Sequence, residues 1–293
     1  MSDIRMNTFQ FQHVIITGRT QLAGKCAEIA ARAYPWLRTY YFNTGEDRPP
    51  KSLEELNNLE YAYVDKKQLM DRLRETTERT LVFSITNGYL FPEDVIANSA
   101  LLIINRHSAL LPKHPGRNAE AWAIFEGDDI AGITWHMVTA EVDAGEIISQ
   151  HHVKIEEDMT SLSLYRELNR LSIESFPDIL EKALSNEKIE TYPQPSGTLY
   201  KMHYAKDRPA DGVLSLDWTI AEMSRFVRAM DYSILKLMGD PIIWMNGKKY
   251  TWKKYAFADA SEPLCEKVEV SLDEIRITKK GKELRLIGIK EIC

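Results

Sequence analysis

An amide and an imidazole two positions apart, Asn105 and His107, stand at the end of the apolar run Leu101 to Ile104. Alternate side chains of an extended chain point the same way, so the two share one face at the carboxyl end of a buried strand. Open α/β sheets hold their ligands at that end. A carboxylate, Asp143, follows in an Asp-Ala-Gly turn between two further strand-like runs, Gly132 to Val138 and Ile147 to Ile155. Asn, His and Asp converging on one crevice can move a proton and stabilise a developing oxyanion. Each has a plainer reading, since a lone strand-end His is most often packed in the core and Asp-Ala-Gly suits a simple turn. The company of Asn105 and the downstream carboxylate favour catalysis.

Other residues could serve that crevice. His136 alternates with Thr134 and Val138, so the three face one way, as pocket wall or as packed core. Lys113, His114 and Arg117 follow Leu110-Leu111-Pro112 and could meet an anionic substrate group or form a solvated basic loop. Gly18-Arg19-Thr20 ends the first strand, where a βα turn could cradle a phosphate. No GxGxxG follows, so dinucleotide binding has no support. His151 and His152 are adjacent on a strand and point to opposite faces, and no carboxylate or cysteine stands at ligand spacing, so no metal is expected.

The order of these pieces resembles the signature of the folate-dependent formyltransferases. Asn105-x-His107 leads into Ser108-Ala109-Leu110-Leu111-Pro112 and the Gly116-Arg117 loop. Then come a helix, the Gly132-Ile133-Thr134-Trp135-His136 strand and the Asp143-Ala144-Gly145 turn. Ala109 departs from the more usual Leu, which trims packing and leaves the chemistry alone. The resemblance implies a 10-formyltetrahydrofolate-dependent N-formyltransferase. Asn105 would offer an amide N–H to the oxyanion. His107 would donate to the formyl oxygen or shuttle the proton of the donor nitrogen. Asp143 would orient His107 or a water and accept a proton from the amine. The resemblance also assigns the folate to Thr86, Asn87, Gly88, Tyr89 and Leu90, with Val138, Glu141 and Asp143, and the acceptor to Lys113, Arg117 and His136. Trp135-His136 and Asn118-Ala119 are nearer to the enzymes of natural-product and amino-sugar pathways, so the expected acceptor is the primary amine of a small metabolite, either a nucleotide-linked amino sugar or a free or carrier-bound amino acid. Methionyl-tRNA is the alternative acceptor. A formyl-folate hydrolase and a folate-binding module are further alternatives; the hydrolase usually carries an amino-terminal regulatory domain, and the chain has no spare length before its first strand.

The elements that must position these residues alternate. Strands are predicted at Phe11 to Gly18, Leu37 to Asn43, Tyr61 to Val64, Leu81 to Thr86 and Leu101 to Asn105. Helices fall between them, one of them capped by Asp65. That alternation predicts an α/β fold, a Rossmann-like parallel sheet with helices on both faces. Thr160 to Asn186 is a long amphipathic helix. Pro193 to Gly197 breaks the pattern, and Gly197 to Pro209 reads as a linker. A small β-rich carboxyl-terminal domain follows, with Val213 to Trp218 as a strand, Thr219 to Met230 as a helix and a hairpin around Lys279-Lys280-Gly281-Lys282. The expected domains are 1–200, catalytic, and 211–293.

The net charge of −6 over 293 residues gives no broad basic field, so nucleic acid is not an expected partner. The three cysteines, Cys26, Cys265 and Cys293, form no CxxC pair and fit reduced thiols. No apolar run is long enough to span a membrane, and the first ten residues lack a signal core. The expected setting is cytoplasmic, with folate and a small amine as partners and a homodimer as one open assembly.

Overall fold

The computed structural model describes residues 11–46, 48–185, 189–195, 200–260 and 266–292. The ten amino-terminal residues, Asn186 of the expected long helix, Ser196 of the expected break, Gly197, Thr198 and Leu199 of the expected linker, Cys265 and Cys293 lie outside them. Contacts divide the chain into two compact units. The first comprises Met1–Gly116, Gly132–His152 and Glu167–Lys201; the second comprises Arg117–Ala131, Val153–Arg166 and Met202–Cys293. The second unit thus draws in two segments that a division at residues 200 and 211 leaves with the catalytic part.

The first unit is built on strands β1 (His13–Gly18), β2 (Arg38–Asn43), β3 (Leu59–Tyr63), β4 (Thr80–Ile85), β5 (Leu101–His107), β6 (Ile130–Met137) and β7 (Ile147–Lys154). They form one sheet in the order β3-β2-β1-β4-β5-β6-β7. The pairs from β3 through β5 are parallel. The parallel expectation stops there, because β6 runs antiparallel to β5. The reversal follows from the chain between them, which returns to the sheet from its carboxyl end. Strand order grows one way from β1 to β3 and the other way from β4 onward, so ligand-binding loops gather at the carboxyl ends of the central strands.

Helices α1 (Thr20–Ala33), α2 (Lys66–Glu75) and α3 (Glu93–Ile96) follow the first strands; α4 (Ala119–Glu126) belongs to the second unit, and α5 (Ser161–Ser185) belongs to the first from Glu167 onward. Strand alternation divides the apolar residues between two faces. Ile15, Val82 and Ile103 stand in register on one face and pack with Leu69 and Leu73 of α2 and Val95 of α3. Ile16, Tyr41, Phe83 and Ile104 occupy the other. There Phe83 meets Phe176 of α5 at 5.0 Å between ring centroids, and Tyr41 lies against Gly24 of α1. Each fully buried side chain of this kind contributes on the order of 2 kcal/mol, so both helical layers are held by burial. Asp65 caps α2 as expected, accepting from the Gln68 N–H while the Gln68 side chain returns to the Asp65 N–H.

The second unit holds β8 (Val213–Leu214), α6 (Ile220–Ala229), β9 (Ile242–Met245), β10 (Lys248–Thr251), β11 (Lys254–Asp259), β12 (Lys267–Val270), β13 (Glu274–Lys279), β14 (Lys282–Ile287) and β15 (Lys290–Ile292). Two four-stranded sheets, β15-β10-β9-β8 and β11-β14-β13-β12, form from them. Met223, Phe226 and Val227 of α6 pack with Ile275, Ile277, Leu284 and Leu286. The expected hairpin is β13–β14. The expected strand over residues 213–218 shrinks to Val213–Leu214. The chain turns at Ser215, whose Oγ accepts the Asp217 N–H at 3.2 Å, and the Lys279 ammonium binds the Leu216 and Trp218 carbonyls. Among the described residues no helix is long and apolar enough to cross a membrane.

Candidate active site

Strand register aims the central pair. Arg106 points to the α5 face, where its guanidinium donates to Ser172 Oγ at 2.7 Å and to the Leu168 carbonyl at 2.9 Å. Asn105 and His107 therefore project from the opposite face, at the carboxyl end of β5. The antiparallel partner β6 places His136 directly opposite Asn105. The Asn105 amide Nδ2 donates to His136 Nε2 at 3.0 Å. His136 Nδ1 donates to the Met137 carbonyl at 2.9 Å, which leaves Nε2 as the acceptor.

Asp143 completes the set from the turn between β6 and β7. Its Oδ2 lies 3.5 Å from His107 Nδ1 and its Oδ1 3.6 Å from His136 Nε2. The Gly116 N–H donates to Oδ2 at 2.8 Å, and His107 Nε2 donates to the His114 carbonyl at 2.9 Å. One loop, residues 108–116, thus holds the imidazole with a carbonyl and the carboxylate with an amide. It does so through backbone in the left-handed region, φ 49° at His114 and 97° at Gly116. Asp143 itself has φ 55°, a conformation that Asp tolerates better than most residues.

His107 and His136 are 5% and 2% exposed, whereas Asn105 is half-buried, so the site opens on the amide side. Burial pushes the His107 imidazole below its usual value, against the opposing pull of Asp143 and the His114 carbonyl. Burial alone would raise the Asp143 carboxyl, but the charge interactions with His107 and His136 and the Gly116 N–H hold it well below the ordinary carboxylate range. At neutral pH the pair is a carboxylate beside a neutral imidazole, able to take up one proton from a neighbour and pass it on.

These shifts have a sign. A histidine held neutral in the fold contributes stability above its unfolded pKa of about 6.5 and loses it as pH falls below that. The Asp143 contribution is complete above about 3.9 and is lost only in stronger acid. Melting temperature should therefore fall between pH 7 and 5, and the slope in that window should be smaller in His107→Gln. An identical slope in the variant would count against a buried neutral His107.

The loop expected to hold the folate follows β4, whose Ser84 pairs with Asn105. The Thr86 hydroxyl, on backbone with φ 52°, donates to the Ile85 carbonyl at 2.7 Å and also meets the Arg19 carbonyl. Asn87 turns back on its own loop, donating to the Tyr89 carbonyl at 3.1 Å and accepting the Tyr89 N–H at 3.3 Å. Tyr89 packs on the core, Leu90 is 64% exposed, and a Cβ on Gly88 would meet nothing within 4 Å. Polar side chains spent inward and an open glycine leave main chain available to a flat ligand. Val138 is half-buried against the same core and its N–H donates to Ile103, while Glu141 is exposed with its carbonyl taken by Thr139.

The structure brings together Asn105, His107, His136 and Asp143. His136, expected as an acceptor contact, accepts a hydrogen bond from the Asn105 amide. Lys113 is half-buried in the first unit, and Arg117 belongs to the second, where its N–H donates to the His203 carbonyl at 2.8 Å. Sequence reasoning misses the His114 carbonyl, the Gly116 amide and Gln194, which donates to the Asp143 and Gly145 carbonyls. Two of these are main-chain groups, invisible to side-chain spacing.

The family model described as Formyl transferase matches residues 44–180, the stretch that holds all four site residues. The chain is similar to the bifunctional polymyxin resistance protein ArnA of Wigglesworthia glossinidia brevipalpis, 29% identical over 51% of this chain and 22% of that protein. It is 29% identical to the GDP-perosamine N-formyltransferase of Brucella melitensis over 46% of this chain and 52% of that one. The chain thus spans about half the length of the second relative, 52%, and less of the first. The fold of the N-formyltransferase from Helicobacter canadensis, solved with folinic acid and dTDP-3-aminofucose, superposes with a TM-score of 0.74. That likeness covers 96% of this chain and 100% of the other at 15% identity, and it carries the fold.

Proposed function

We propose that the protein transfers a formyl group from 10-formyltetrahydrofolate to the primary amine of a nucleotide-linked amino sugar. The carrying observation is the Asn105–His107–Asp143 set beside the open 86–90 loop, within the stretch that the formyl transferase model matches. The GDP-perosamine enzyme and the aminofucose-bound structure support the acceptor class. The folate supplies the formyl carbon as a co-substrate. The amine attacks that carbon, a C–N bond forms, and the bond to N10 breaks. One Asn105 N–H is bound to His136 and the second is left for the oxyanion. Asp143 and His107 take the proton from the amine and return one to N10, so the products are a formamide and tetrahydrofolate.

This reading gives catalysis to residues 1–200, an accessory role to residues 211–293, no resident metal and a cytoplasmic place; sedimentation tests the homodimer that goes with it. Lys113 is its contact for the acceptor's anionic group. The test is formyl transfer against a panel of amines, with a no-amine control for hydrolysis and methionyl-tRNA as a competitor. A tRNA acceptor held by six or more phosphate contacts would lose on the order of 10³ in affinity between 50 and 200 mM salt. A sugar nucleotide would lose only a few-fold, because few charges are involved. Turnover of the amino sugar that persists at about 150 mM salt is the expected result. Efficient formylation of methionyl-tRNA at that salt, with no transfer to small amines, would replace the acceptor, and folate cleavage without an amine would replace the reaction.

A further inference from the structure

Residues 189–195 cross the catalytic turn. Tyr192 exchanges both main-chain hydrogen bonds with Ile147 at 2.9 and 2.8 Å, an isolated antiparallel bridge at the start of β7. The Thr191 hydroxyl bonds the Glu146 carboxylate. Gln194 then reaches over the turn. Its Nε2 donates to the Asp143 carbonyl at 2.7 Å and to the Gly145 carbonyl at 2.9 Å.

Both bonds fall where the turn needs them. Two carbonyls close enough to share one donor repel each other unless hydrogens stand between them. A carboxamide NH₂ offers two N–H groups spread at about 120° and satisfies both. Asp143 has left-handed backbone, and Gly145 is buried so tightly that a Cβ would fall 1.7 Å from the Met137 carbonyl oxygen. The turn therefore has one narrow conformation that aims the carboxylate, and neither carbonyl has another donor among the bonds described. We infer that Gln194 is a positioning residue for formyl transfer, tying the Asp143–Gly145 turn so that its carboxylate meets His107 and His136. This role rests on the formyl-transfer reading and acts through the Asp143 main chain.

Three variants test it: Gln194→Met keeps length and removes both donors, Gln194→Glu turns an acceptor toward two carbonyls, and Gln194→Asn keeps the carboxamide on a shorter stem. The His107 imidazole is followed by NMR titration with labelled histidine, formyl transfer by initial rates, and the fold by thermal melting. In Gln194→Met the His107 pKa should fall further, because the carboxylate that holds it up has moved away. Its kcat should fall about 10-fold or more, as expected for a misplaced reacting group, with KM for the donor within about twofold. Gln194→Glu should behave no better, and Gln194→Asn should recover part of the rate. Should Gln194→Met fail to fold, Gln194→Glu carries the same comparison. A displaced titration in a protein that forms no formamide even as wild type would uphold the positioning and remove the reaction. A wild-type titration and kcat in Gln194→Met, or a lowered melting point with an unmoved titration, would overturn the inference.

Discussion

Asp143→Asn should lower kcat for formyl transfer by on the order of 10² or more, and His107→Ala by a similar factor. Neither side chain is part of the apolar core, so circular dichroism and melting should show a folded protein in both. The two act as a unit, with the carboxylate 3.5 Å from the imidazole. Their effects should therefore not add: the double variant should be about as slow as the slower single one. Asp143→Asn keeps the shape of the side chain but removes the anion, so it can no longer take a proton from the amine. It also removes the charge that opposes burial at His107, so the imidazole should titrate lower still in that variant. KM for the folate donor should change less than kcat, because the loop at residues 86–90 is intact. Near wild-type turnover in either single variant, measured with an accepted amine, would end the catalytic assignment.

The sequence shows most of the frame behind that prediction. Buried parallel strands read as unbroken apolar runs, which is why the strands around Ile16, Phe83 and Ile104 are legible. Asp65 and Thr219 announce their helices because a capping box is a local pattern of side chains. Asn105 and His107 are legible because two residues in alternation share a face whatever the rest of the fold does. Asp143 is legible only as a partner of theirs, through the order of motifs.

What the sequence leaves dark has a common cause. The His114 carbonyl and the Gly116 amide are main-chain groups aimed by positive φ, and no residue type specifies where they point. Trp218 closes an apolar stretch that reads as a strand, yet the Lys279 ammonium bends it by binding the Leu216 and Trp218 carbonyls from far along the chain. His136 could face a core or a site with the same alternation, and only its register opposite Asn105 decides between them. Gln194 sits in Pro193 to Gly197, a stretch that reads only as a break in the pattern, and its bonds to the Asp143 turn are long-range. Local signals carry the elements, and long-range hydrogen bonds carry the precision of the site.

That precision sets the second large expectation. Gly145→Ala should abolish most activity, by about 10² or more, and lower the melting temperature as well. A Cβ at Gly145 would stand 1.7 Å from the Met137 carbonyl oxygen and 2.7 Å from its carbon. Both are backbone atoms of β6, so no side chain can swing away to relieve the clash. Either the end of β6 or the turn must move by more than an ångström, and displacement of about 1 Å costs on the order of 10² in rate when reacting groups depend on it. Overpacking of this kind also costs about 1–3 kcal/mol of stability. Gly88→Ala is the control, because a Cβ there meets nothing within 4 Å. It should leave the melting temperature unchanged, and any effect it has should fall on KM for the folate, since the added methyl stands on the loop assigned to that ligand. Full activity in Gly145→Ala would mean that the Asp143 turn tolerates displacement, and the catalytic role of its carboxylate would fall with it.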